Sequence, residues 1–189
     1  MYLGYMRHSF WGKFVLSLSL LVSSVAFAAE EVSDQLKKEE ETNTKYLLGQ
    51  VLNKAKSLQE TYGDFAPFGA GLFPNGEFKF VWLAKPGETV SDPIKAMELI
   101  RTTLKAQAER GRLLGSAITY KFKAAEDAPL QFNTEVEYLS GYSKLVAVQI
   151  AQGEDKKVEF GAVKDVEFEG FIFNKLKEEQ EAKAEEEKK

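Results

Sequence analysis

The feature that most constrains this chain is an N-terminal leader, because it decides which residues the folding protein keeps. Residues 14–25 form an uncharged run rich in Leu, Val and Ser, preceded by two cations and no acid. A small-x-small tripeptide at residues 26–28 follows the run, and the first acid is Glu30. This order is typical of a secretory signal peptide. We therefore expect residues 1–28 to be cleaved after Ala28 and the protein to be periplasmic or secreted.

An uncleaved membrane anchor is the alternative reading of the same leader. A spanning helix needs roughly 20 consecutive apolar residues, and the run at 14–25 is shorter than that. No later segment of the sequence approaches that length. We therefore expect no stable membrane span once the leader has been removed.

Cleavage would leave a chain that has neither histidine nor cysteine. The only histidine is His8, inside the leader, and the sequence has no cysteine. Ser–His–Asp triads, imidazole metal sites and thiolate chemistry are therefore not expected, and we predict no metal, no cofactor and no catalytic residue. Because no disulfide can form, packing alone must hold the fold together.

The charge and composition of the chain limit its partners. Losing Arg7 and Lys13 with the leader changes the formal net charge from −4 to −6. An acidic chain is not expected to bind nucleic acid. The apolar content of 44% is typical of a globular protein. Composition then divides the mature chain into an acidic segment at 29–45, a single domain at 46–174 and a charged tail at 175–189, which we expect to be helical or disordered.

Apolar spacing predicts an α+β domain. Residues 45–62 carry apolar side chains at intervals of three and four, as a helix does, and a second helix is expected to start at the Asp92-Pro93 cap and to stop at Gly111. Period-two alternation and turn signals predict strands at 65–73, 78–84, 114–123, 132–138 and 144–151, with short extended pieces at 158–160 and 166–173.

These elements predict an antiparallel sheet of about five strands with two main helices, in the order α-ββ-α-βββ. The second helix lies between a hairpin and a meander, so we expect it to cross one face of the sheet. Pro67, at the start of the first predicted strand, favours a sheet edge or a bulge there.

Two resemblances accompany this reading. The order of elements over about residues 46–151 resembles that of the profilin-like and roadblock/longin-like folds. The stretch Phe65-Ala66-Pro67-Phe68-Gly69-Ala70-Gly71-Leu72, followed by Asn75-Gly76-Glu77, also resembles an aromatic-Pro-Phe-Gly opening found in an uncharacterised family of bacterial exported proteins. That second resemblance implies export and carries no activity.

The candidate binding residues lie where aromatic and small side chains adjoin. Phe65, Phe68, Gly69 and Gly71 could line an aromatic cleft, because small residues allow a close approach. The alternative is that the small residues make room for a crossing helix. Trp82 and Tyr142 are further candidates for recognition, with packing in the core or at a turn as the alternative.

Carboxylates offer the other possible chemistry. Glu135 and Glu137, like Glu167 and Glu169, are spaced at i, i+2, which places each pair on one face of a strand. We expect these faces to be solvated and to lie opposite lysines. The catalytic alternative is that the paired carboxylates act as general acid and general base.

The sequence therefore predicts a non-catalytic binding module of the cell envelope, whose partner is an envelope protein or a small apolar ligand. A carboxylate-dependent hydrolase is one alternative, and two buried carboxyls facing each other across a pocket would favour it. A self-associating structural protein is another. In that case the sheet edge near Pro67 would pair between chains and the protein would be a homo-oligomer.

Overall fold

The computed structural model describes the backbone of residues 19–186 and the side chains of residues 33–186. The predicted leader therefore lies partly outside the described residues. The chain divides into a unit that ends at Glu39 and a compact unit that begins at Glu40. Of the first unit, the described backbone is helical throughout. No helix in the described residues has an apolar stretch long enough to cross a membrane.

The described residues form an α+β fold, which confirms the predicted class. The elements in chain order are α1 (Ser19–Tyr62), β1 (Phe68–Leu72), β2 (Phe78–Val81), α2 (Pro93–Ala108), β3 (Gly115–Phe122), β4 (Gln131–Tyr138), β5 (Ser143–Gln152), β6 (Val158–Val166) and α3 (Phe173–Glu186). The strands form one sheet in the order β2-β1-β3-β4-β5-β6, and every neighbouring pair is antiparallel.

The prediction of about five strands was too low, since the described sheet has six. The residues predicted as a short piece at 158–160 are the start of the nine-residue strand β6. A register shift in its pairing with β5 and the small residues Gly161 and Ala162 obscure the alternation that would have marked this strand. The piece predicted at 166–173 is not a strand beyond Val166.

The first helix extends beyond its predicted limits, and the tail adopts the helical state, one of the two that were expected. The helix expected at 45–62 begins at Ser19 and includes the acidic segment 29–45. That segment is rich in good helix formers, and an i, i+4 ion pair joins Glu41 to Lys45 at 2.7 Å. The charged tail is helical through Glu186.

The prediction that Pro67 marks a sheet edge or a bulge was wrong, since the pairing of β1 with both neighbours shows no register shift. The strand that follows it, β1, lies inside the sheet between β2 and β3. Pro67 stands one residue before the strand, where its missing N–H costs no ladder hydrogen bond. The edges of the described sheet are β2 and β6.

Helices cover both faces of the sheet, here named the α1 face and the α2 face. On the α1 face, apolar residues of α1 pack against Phe68, Ala70, Leu72, Ala117, Phe132 and Val136. On the α2 face, Ile100 and Leu104 of α2 pack with Leu113, Ile118 and Ile172. The predicted crossing of one sheet face by α2 is therefore present, over β1 and β3.

The small residues of β1 set how closely α2 approaches the sheet. A Cβ added at Gly69 would lie 2.5 Å from Ile100 Cγ2, and one added at Gly71 would lie 2.8 Å from Leu113 Cδ2. These separations are too short for carbon atoms, so a side chain at Gly69 would have to displace Ile100 of α2, and one at Gly71 would have to displace the end of the Leu113 side chain. The alternative stated above, in which small residues make room for a helix, is what the geometry shows.

We expect Gly69→Ala to destabilise the fold by about 1–3 kcal/mol, because the added methyl must displace Ile100 in a closely packed layer. Gly49→Ala in α1 is the matched control. Apart from the neighbouring backbone of α1 itself, no atom lies within 4 Å of the added Cβ there, so this change should stabilise by about 0.5–1 kcal/mol. Urea unfolding of the two variants measures both effects, and a Gly69→Ala protein as stable as wild type would contradict the packing argument.

Candidate functional site

Four aromatic side chains form a continuous row beside the edge strand β2. Phe78 and Phe80 lie opposite Leu72 and Ala70 of β1, so both point to the α1 face. The row, named here the aromatic row, consists of Tyr46, Phe78, Phe80 and Trp82. Neighbouring ring centroids are 6.2 Å apart for Tyr46–Phe78, 4.9 Å for Phe78–Phe80 and 5.3 Å for Phe80–Trp82.

The core fixes one end of this row and leaves the other open. Trp82 stacks on the fully buried Phe68, with centroids 4.8 Å apart and an interplanar angle of 27°. Phe78, Phe80 and Trp82 are half-buried, whereas Tyr46 on α1 is 46% exposed. Rings that contact one another in this way lose little conformational freedom when a partner covers them, which favours binding.

A cation lies at the end of the row. Lys54 Nζ, on α1, is 5.8 Å from the centroid of the Trp82 ring. A cation at that distance from an indole ring is attracted by its π-electrons. The row therefore presents apolar ring surface along β2 and one positive charge beside Trp82.

Three of the six predicted site residues come together here. Phe65, Phe68 and Trp82 belong to one aromatic cluster, in which the Phe65 and Phe68 centroids are 5.8 Å apart. Phe65 is 4% exposed and Phe68 is fully buried, so only Trp82 presents a substantial surface to solvent.

The other three predicted residues lie elsewhere. Gly69 and Gly71 face α2 on the opposite side of the sheet. Tyr142, between β4 and β5, packs against the α1-face core and has Lys144 Nζ 5.9 Å from its ring centroid. Ligand binding by the six predicted residues stays a prediction.

The sequence contained part of the signal for the residues that were missed. Phe78, Phe80 and Trp82 alternate in sequence and so share a face, but only Trp82 was selected as a candidate. Tyr46 could not be placed beside them, since its contact with Phe78 depends on how α1 crosses the sheet.

The prediction of a solvated face was wrong for one carboxylate pair on β4. Glu135 is 4% exposed and Glu137 is 2% exposed. Both lie on the α2 face, which α2 and the segment leading into α3 cover. The alternation of polar residues in β4 predicts a solvent-exposed face, because the groups that bind these two carboxylates lie far away along the chain.

Arg101 of α2 is the partner of Glu135. Its Nε donates to Glu135 Oε2 at 3.0 Å, and its Nη2 donates to Glu135 Oε1. Burial is the largest influence on this carboxyl and raises the pKa of Glu135, while the bonds to Arg101 act in the opposite direction.

Glu137 holds the start of α3. Its carboxylate accepts backbone N–H bonds from Phe171 at 2.8 Å, Ile172 at 2.9 Å and Phe173 at 3.0 Å. The first N–H groups of a helix have no partner within the helix, so a buried carboxylate is a strong cap for them. Arg101 also lies 4.2 Å from the ring centroid of Phe171, which joins the two carboxylate sites.

Neither of these carboxylates lines either of the two clefts found among the described residues. The larger cleft, of about 570 Å³, lies between the start of β5 and residues 165–169. The smaller, of about 220 Å³, includes Asp64 and Lys121, which form an ion pair with each other. No cluster of three or more potential metal ligands is present among the described side chains. Glu135 and Glu137 therefore have structural partners, and neither lines either of these two clefts.

No protein-family model, no curated protein and no solved structure matches this chain. The resemblances to the profilin-like and roadblock/longin-like folds, and to the uncharacterised exported family, stay predictions.

The raised pKa of Glu135 predicts a pH dependence of stability. The folded protein binds the proton of the Glu135 carboxyl more tightly than the unfolded chain does. Protonation of Glu135 therefore stabilises the fold fully below the ordinary pKa of 4.5, and this stabilisation is lost as the pH rises through the raised pKa. The unfolding free energy of wild type should therefore fall relative to that of Glu135→Gln over this interval. Urea unfolding at a series of pH values measures the difference, and parallel profiles for the two proteins would contradict the assignment.

Proposed function

We propose that this chain is an exported, non-catalytic binding module of the cell envelope, and that its aromatic row docks an apolar segment of another envelope protein. The observation that carries the proposal is the continuous contact of four rings at a sheet edge, with one ring exposed and three half-buried. Aromatic residues are enriched in protein interfaces, where they supply large contact areas.

The shape of this surface favours a protein partner over a small molecule. Small ligands bind in concave sites that enclose most of their surface. Neither of the two clefts described above includes Tyr46, Phe78, Phe80 or Trp82. An open row about 13 Å long, from the rise of a β-strand over residues 78–82, instead suits an extended apolar segment.

The carboxylates give less support to the hydrolase alternative. Glu135 is bound by Arg101, and Glu137 is bound by three backbone N–H groups, so both are engaged within the fold. A general acid–base pair needs space for a substrate and water between or beside its carboxyl groups. The clefts lie elsewhere, which favours a structural role for these two side chains.

Export is the part of the proposal that rests on the leader. Cell fractionation should place the protein in the periplasm or the medium, and mass spectrometry should find a mature chain that starts at Ala29. Retention of the full-length chain in the cytoplasm would overturn export while leaving the aromatic row available to a different partner.

The binding surface has its own matched pair of variants. Tyr46 is 46% exposed in the row, and Leu99 on α2 is 49% exposed and outside it. Tyr46→Ala should lower the affinity for the partner at least tenfold, as truncation of an aromatic hot spot in an interface does, and Leu99→Ala should not change it. Crosslinking from a photoreactive residue at position 54, where the lysine lies beside Trp82, identifies the partner in envelope extract, and titration of that purified partner measures the affinities. Equal losses in both variants, or none in either, would contradict the proposal.

A further inference from the structure

The opposite edge of the sheet, β6, is long and open. It pairs with β5 on one side only, and every residue after Val158 is exposed. Val158 itself is closed off by α1, because its N–H donates to Glu60 Oε1 at 2.9 Å and its C=O accepts from Lys56 Nζ. The rest of β6 is thus available for strand addition, the mode in which an extended peptide pairs with a sheet edge.

Apolar side chains accompany this edge. Phe160 is 41% exposed, Val163 is 63% exposed and Val166 is 36% exposed. The cleft of about 570 Å³ continues from the end of the strand, with Val166 and Phe168 among its lining residues. Edge strands of soluble proteins are more often short or strongly charged, so an apolar edge beside a cleft indicates a surface that a partner covers.

The charges at the end of β6 and just beyond it determine which kind of peptide this edge can bind. Asp165, Glu167 and Glu169 alternate with Val166 and Phe168 and line the same cleft. Lys144 engages Asp165 at 2.7 Å, whereas Glu167 has no ion-pair partner among the described side chains. The stretch from Asp165 at the end of β6 to Glu169 just beyond it therefore presents acids and apolar groups in alternation, with Lys164 as the one cation of the strand itself. A segment in which lysines alternate with aliphatic residues is complementary to this stretch.

The same charges disfavour a second copy of the chain as the occupant. Two β6 strands paired antiparallel around Ala162 would place Glu159 of each strand opposite Asp165 of the other. Like charges directly opposite one another destabilise strand pairing. The net charge of −6 expected for the mature chain adds to this repulsion.

We infer that the open edge of β6 and the adjoining cleft bind an extended segment of alternating lysine and aliphatic residues, which adds to the sheet as a seventh strand. This surface lies at the opposite edge of the sheet from the aromatic row and does not depend on it.

A fluorescein-labelled peptide of alternating lysine and valine is the probe, titrated into the purified protein by fluorescence anisotropy. The double variant Glu167→Gln/Glu169→Gln should bind it at least tenfold more weakly than wild type. The control Glu98→Gln/Glu109→Gln removes the same charge from exposed positions on or next to α2 and should bind as wild type does. Binding should also weaken with added salt, because the pairs lie at the surface.

Two further measurements separate strand addition from simple charge attraction. The same peptide with its alternate backbone nitrogens methylated keeps its lysines but loses donors to the edge, so its affinity should fall. Tyr46→Ala should bind the peptide normally, which keeps this test independent of the proposed function. Equal affinity for both double variants, equal affinity for the methylated peptide, or a stable dimer that blocks the peptide would each overturn the inference.

Discussion

Two carboxylates buried on β4 organise the α2 face of this protein. Glu135 engages Arg101 on α2, and Glu137 engages the backbone at the start of α3, so alternate positions on one strand fix two helices. Removing the partner of either carboxylate would leave a buried charge unpaired. An unpaired buried charge destabilises a fold far more than an intact buried pair stabilises it. In a chain without disulfides, these polar contacts specify where the helices sit, and apolar packing supplies the stability around them.

Much of the domain follows from local patterns in the sequence. Asn75-Gly76 marks the β1–β2 hairpin, and the Asp92 side chain accepts from Lys95 N–H at 2.9 Å as the predicted cap of α2. Strands β3, β4 and β5 lie close to their predicted positions because their alternation is regular. These elements are readable because each signal involves residues a few positions apart.

The features that escaped prediction depend on contacts between distant residues. Glu135 and Arg101 are 34 positions apart, so β4 alone cannot reveal that its acidic face is covered. The position of Tyr46 likewise depends on the path of α1. For the candidate site, the sequence indicated aromatic residues near β1 and β2 but could not separate the buried Phe68 from the half-buried rings beside it.

The way α3 is attached has a practical consequence for handling the protein. The start of α3 is held by the Glu137 cap and by the preceding residue Ile172, which is 1% exposed. The helix itself contains no buried residue. Beyond the first turns, its contact with α2 includes the exposed ion pair between Lys105 and Glu179. Carboxypeptidases that trim the helix from its far end would therefore remove the Glu179 ion pair well before they reach the capped residues that anchor α3.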